Sequence, residues 1–396
     1  MERRHDLDWV RIAAFGLLVL YHVGMYYVSW DWHIKSPQAG PALEPLMLLS
    51  APWRLSLLFL VSGVATGFLI GKSSRGFLAA RSWRLLVPLL FGMFVIVVPQ
   101  AYYEVVEKAG FDQGLASFYG LYLSGGLCRG EDCLTTPTWN HLWFVAYLWV
   151  YTAALAALLA LFPRGMEAIA ERIDRLFDGW GVLLWPLAWL AAARLLLVGT
   201  FESTHALVDD WYNHAQYFPL FLLGFWLVRA EAAWAAIERL RWVALGLALG
   251  SWAYIAWYFT AYAPEGEPMA ALRYGQRGVW AVQQWSCILA VLGFARRLAP
   301  GDGPVLRYLS EAVFPVYILH QTLIIMIAWQ LRPLGWAPAL EGPLLTLLTV
   351  LLCFAGFEAV RRVRWLRPLF GLKRLPRAGS ATTSDQAVAA VTPTQR

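Results

Sequence analysis

Residues 9–27 read WVRIAAFGLLVLYHVGMYY, an apolar run of the roughly 20 residues that cross the hydrocarbon core of a bilayer as a helix. Inside it stand Arg11 and His22. Ionisable groups are costly at that depth, and they mark reaction or transport sites more often than anchors. An interval of eleven residues is three helical turns plus about 20°, so both side chains share one face, roughly 16 Å apart along the axis. Counting about 13 residues from Trp9 places His22 about 20 Å from the surface near which Arg11 lies, past the midplane. A plainer reading has Arg11 snorkelling to the headgroups and His22 hydrogen-bonded to a neighbouring helix.

The remainder of the chain sets that segment in a membrane. Of 396 residues, 59% are hydrophobic and 15% charged, where a soluble domain carries about a quarter charged residues. The 22 tryptophans and 17 tyrosines suit the two membrane interfaces. The net charge of +6 is spread over many short connections rather than one basic stripe with interleaved aromatics, which argues against nucleic acid. The first apolar run holds Tyr21, His22, Tyr26 and Tyr27 and lacks a small-residue cleavage site after it, so it reads as an uncleaved span rather than a leader.

Ten runs are long and apolar enough to count as spans: residues 9–27, 46–70, 85–103, 141–162, 181–199, 215–228, 243–261, 279–294, 311–330 and 344–360. The expected fold is an all-α, polytopic membrane protein of about ten transmembrane helices. With the N-terminus cytoplasmic, one set of connections collects Arg3, Arg4, Lys72, Arg75, Arg81, Arg84, Arg164, Arg172, Arg175, Arg229, Arg239, Arg241, Arg296, Arg297, Arg307 and the basic cluster from Arg361 to Arg377. The opposite set holds only Lys35, Lys108, Arg129, Arg273, Arg277 and Arg332. That asymmetry puts both termini in the cytoplasm. Residues 1–370 form one transmembrane domain, and the small, polar segment 371–396 is expected to be a disordered cytoplasmic tail. Within the long connection 104–140, GLASFYGLYLSGG reads as a short interfacial helix. Cys287 and Cys353 lie in apolar runs and read as packing residues. Cys128 and Cys133 flank a polar turn outside, where they are either an oxidised pair or two unpaired thiols.

Several other side chains carry chemistry. His33, His205 and His214 fall in or beside outer connections and read as solvated. His141 opens the fourth span near the outer surface, and His320 lies midway along the ninth; a structural hydrogen bond accounts for each. No H-x-x-x-H or C-x-x-C pattern offers a converging metal site. Arg81 and Arg84 share a helix face at the start of the third span, and guanidinium forks suit phosphate oxygens, although a positive-inside belt accounts for either one alone. Neither a P-loop nor a dinucleotide fingerprint is present, which disfavours a nucleotide-hydrolysing pump. Ser62 and Gly63, in LFLVSG, read as a close helix contact, since Ser62 has no G-x-S-x-G elbow.

Taken together, these motifs resemble the type 3 membrane acyltransferases. Arg11 and His22 match that family's R-x10-H, Arg81 and Arg84 its R-x-x-R, and LFLVSG its second-span signature. The likeness runs over about residues 5–370 and is strongest to a branch of glucan-biosynthesis members with proposed succinyl transfer. What the resemblance implies is a ten-helix enzyme of the bacterial inner membrane. It would move an acetyl or succinyl group from cytoplasmic acyl-CoA to a hydroxyl of an extracytoplasmic glycan or glycoconjugate. His22 would be the catalytic base, and Arg11, Arg81 and Arg84 would bind the donor or organise the site; no metal is implied. The appended hydrolase-like domain that some members carry is missing from this sequence. Histidine chemistry agrees with the role, whether as a neutral base or as an acylated nucleophile. Asp31, Glu44 and Glu358 are the carboxylates whose approximate depth suits orienting it. The rival reading is a secondary transporter or flippase, which fits the span count but lacks an inverted repeat and a matched pair of broken helices.

Overall fold

The computed structural model describes residues 4–72, 76–125, 127–129, 132–262 and 268–374. It is a helical bundle. In chain order the helices are α1 (His5–Tyr27), α2 (Glu44–Ser50), α3 (Arg54–Lys72), α4 (Phe77–Phe91), α5 (Val98–Ala109), α6 (Leu115–Ser124), α7 (Trp143–Leu161), α8 (Pro163–Leu176), α9 (Gly181–Leu197), α10 (Trp211–Leu227), α11 (Glu231–Tyr262), α12 (Ala270–Leu298), α13 (Pro304–Leu331), α14 (Pro338–Arg362) and α15 (Leu366–Leu369). A small hairpin, β1 (Leu127–Arg129) against β2 (Asp132–Leu134), sits between α6 and α7. Its register sets Cys128 opposite Cys133, but their side chains, like the tail beyond 374, lie outside the described residues.

Every run read as a span from the sequence is mainly helical, with run 46–70 divided between α2 and α3 and run 85–103 between α4 and α5. Among the described residues, eight helical stretches are long and apolar enough to cross a bilayer, and nine with a bent pair, so a count of ten is approximate. The difference comes from α9 and α10, each of 17 residues, which at 1.5 Å per residue span about 25 Å of a core about 30 Å thick. Helices α8 and α9 meet at 115°. The polar α8, with Met166 and Ile173 buried, therefore lies across the direction of its neighbour. Helix α6 bears out the short helix expected in the long connection.

Two local features shape the site. The third span is interrupted: α4 passes through a π turn, Gly92–Ile96, before α5. Pro99 supplies one cause, because it has no N–H to offer the carbonyl four residues earlier. Thr322 Oγ1 donates to the Ile96 carbonyl at 2.7 Å, satisfying part of the disturbed ladder. The second feature is the α3–α10 contact. A methyl group on Gly63 would stand 1.9 Å from the Phe221 carbonyl oxygen, and one on Gly224 would stand 2.0 Å from that of Leu60. The two backbones touch, as the Ser62-Gly63 reading anticipated. Cys287 and Cys353 are buried free thiols within the bundle.

Candidate active site

Arg11, Phe15, Leu18 and His22 follow one another along a single face of α1, at the i, i+4, i+7, i+11 spacing of a helix stripe. The face has two ends. At one, Arg11 joins Arg81 and Arg84 of α4 on a cavity of about 480 Å³, completed by Leu58, Ser62, Phe144 and Phe314 among others. The three arginines separated by seventy residues of chain thus share one wall. Asp8 bridges to Arg11 at 3.2 Å. Arg81 and Arg84 have no carboxylate partner among the described residues, and the buried Nε of Arg81 makes no hydrogen bond. A second cavity, of about 770 Å³, shares Leu69, Arg81 and Arg84 and adds Trp83, Lys373 and Arg374. This cation excess is the donor set a polyphosphate fits.

At the other end His22 Nδ1 lies 2.8 Å from His320 Nε2. Tautomers follow from the partners. His320 Nδ1 is 2.6 Å from the Tyr317 carbonyl oxygen, which only accepts, so that nitrogen carries the proton and Nε2 presents its lone pair. His22 must then donate from Nδ1, which leaves its Nε2 unprotonated. Among the described residues nothing bonds that nitrogen, and it is not sealed from open space. A proton-accepting nitrogen is the result.

His141 packs edge-on against His320 with ring centroids 5.1 Å apart. It is buried within the bundle. Its Nε2 donates to the Tyr317 and Ile318 carbonyls, each at 3.2 Å, and its Nδ1 accepts from Gln100 Nε2 at 3.3 Å. Gln100 also receives Gln321 and Asn140 on its oxygen at 3.0 and 3.1 Å. Gln321 goes on to His33, whose Nδ1 pairs with Glu104 at 2.5 Å. His33 is therefore part of a buried polar chain and not solvated. The other two histidines read as solvated are packed as well: His205 lies on Trp143 with centroids 4.1 Å apart, and His214 bonds the Tyr151 hydroxyl at 2.9 Å.

None of the three carboxylates considered for His22 touches it. Asp31 pairs with Lys108, Glu44 bonds Ser29, and Glu358 holds Tyr308, Arg361 and Arg362. The orienting partner is His320, whose mid-span position was its only signal in the sequence. Between cavity and histidines stands Tyr317. It packs on Phe15, Phe144 and Phe314 of the cavity wall and on His320, with centroids 5.2 to 6.2 Å apart. Among the described residues no group of three His, Cys, Asp or Glu side chains is arranged to hold a metal ion.

Fold and site together define a multi-pass helical membrane protein with an imidazole pair at one level and an arginine-rich cavity at another. The chain belongs to the type 3 acyltransferase family, whose acyltransferase-domain model matches residues 4–358; it is a membrane acyltransferase. Similar proteins include the glucans biosynthesis protein C of Salmonella gallinarum strain 287/91, of Salmonella schwarzengrund and of Salmonella typhi. Each is 21% identical over 344 residues, covering 84% of this chain and 85% of the relative. No solved structure matches.

Proposed function

We propose that the protein moves an acyl group, acetyl or succinyl, from cytoplasmic acyl-CoA to a hydroxyl of an extracytoplasmic glycan, with His22 as the base. The bacterial inner membrane, with both termini on the cytoplasmic side, is the setting. The observation that carries the reading is the proton-free Nε2 of His22, fixed by the bond from Nδ1 to His320 and from His320 to the Tyr317 carbonyl. An alcohol is a poor nucleophile until a base takes its proton, and a positioned base contributes ~10²- to 10⁴-fold. Arg11, Arg81 and Arg84 bind the donor's phosphates at the cavity they share. The thioester arm then runs along α1 past Phe15, which is two turns and about 10 Å from His22. Acceptor class is taken from the relatives, whose name refers to glucans.

The test supplies labelled acetyl-CoA or succinyl-CoA to the cytoplasmic face of vesicles enclosing a glucan. Label should appear on the glucan, and His22→Ala should reduce it by about 10²-fold or more. Label that survives His22→Ala unchanged removes His22 from the base role. Passage of unmodified glucan without acylation would instead establish the transporter reading.

A further inference from the structure

Arg54, at the start of α3, is 7% exposed. Its guanidinium carbon lies over the Tyr21 ring, 3.2 Å from the centroid, and Tyr21 in turn meets His22 edge-on. Arg54 stands one ring away from the base. Its charge acts on His22 and on His205. Nε and Nη1 are enclosed and make no hydrogen bond, and no carboxylate pairs with the group among the described residues. Nη2 also lacks a partner but is not sealed off. The ring face gives the cation some attraction, yet it accepts none of the N–H donors.

An uncompensated charge buried with idle donors is expensive to fold, and a helix contact between α1 and α3 could be made by any apolar side chain. Arg194 is a useful contrast. It is a partly buried arginine over Trp280 whose Nε is likewise idle, but its Nη1 donates to the Tyr212 hydroxyl at 2.7 Å. Arg54 has no such partner. Its one unsealed donor group, Nη2, is suited to negative charge that arrives only during the reaction.

We propose that Arg54 is a catalytic residue that holds the acyl oxygen as it becomes an oxyanion. This rests on the acyl-transfer reading above. His22 Nε2 takes the proton of the acceptor hydroxyl while that oxygen bonds to the thioester carbonyl carbon. The carbonyl π pair moves onto oxygen, where the N–H groups of Arg54 Nη2 meet it. On collapse the pair returns, the C–S bond breaks, and the departing thiolate takes the proton from His22. The products are the ester and free thiol, and no other reactant is consumed.

The experiment compares wild type, Arg54→Gln and Arg54→Lys in the vesicle assay with acetyl-CoA and with succinyl-CoA, and records thermal unfolding of each. Arg54→Gln should lower turnover by about 10²- to 10³-fold with both donors and leave the donor KM nearly unchanged. Its unfolding temperature should not fall, because a buried unpaired cation has been removed. Arg54→Lys should restore part of the rate. Wild-type turnover in Arg54→Gln would overturn the proposal. So would a loss confined to succinyl-CoA, which would make Arg54 a seat for the acyl carboxylate. A loss matched by a lower unfolding temperature, without recovery in Arg54→Lys, would make the residue structural. Transfer by the wild type in the same assay keeps the acyl-transfer reading separate from any of these outcomes.

Discussion

A single proton position decides what His22 can do. If Nδ1 is a donor the outward nitrogen accepts protons, and if the ring flips its tautomer that nitrogen is blocked. His320 makes the choice by accepting from Nδ1, and the Tyr317 carbonyl makes it for His320. The arrangement parallels the orienting role a carboxylate plays in hydrolase triads, where the wrong tautomer is costly although the geometry survives. A neutral imidazole does not add the countercharge a carboxylate would. His320→Ala should therefore cut turnover by about 10²-fold while donor binding is retained, measured as kcat and KM for acyl-CoA. The same loss in His22→Ala and in the double variant would show the two rings acting as one unit. Full activity in His320→Ala would mean that another group sets the tautomer. The sequence marked His22 through its place in a recognisable span, but 298 residues separate it from His320, and no spacing pattern joins two residues that meet across helices.

Among the elements, the α3–α10 pair governs how firmly Ser62 and the cavity wall are held. Helix association in a bilayer draws on close packing because lipid and side chain are equally apolar. Gly63 and Gly224 let the backbones touch. Gly63→Ala should destabilise the bundle by about 1–3 kcal/mol through overpacking, read as a lower unfolding temperature in detergent. Gly246 is the control: nothing lies within 4 Å of a methyl group added there, and alanine improves an exposed helix interior. Equal effects at the two positions would discount the contact. The LFLVSG stretch announced a small-residue surface but not its partner, since Gly224 is identified only when α10 is laid against α3. The π turn at Gly92–Ile96 was equally hidden, because a proline near the end of an apolar run does not say whether the helix kinks, stops or widens.

At the scale of the molecule, the proposed function gives the two ends of α1 different chemistry. The cavity of Arg11, Arg81 and Arg84 lies three turns from the histidine pair, so the donor's charged head and its reactive end are separated along the membrane normal in the proposed orientation. Replacing Arg81 and Arg84 together by glutamine should raise the KM for acyl-CoA by roughly tenfold or more and alter kcat much less. Acyl-CoA should protect these arginines from chemical modification in wild-type membranes. A fall in kcat at unchanged KM would move them out of donor binding. The sequence by itself determined the helical class and the approximate number of spans, because a bilayer demands apolar runs of fixed length and leaves backbone few other ways to be satisfied. It also marked His22 and the three arginines, since charge in an apolar run stands out and their spacing places them on helix faces. Tertiary structure alone decided that the arginines converge, that His320 and not a carboxylate bonds His22, and that Arg54 lies one ring away from it with its donors idle. Those facts depend on how separate helices rotate and pack against one another, and periodicity within one helix carries no information about the face its neighbour presents.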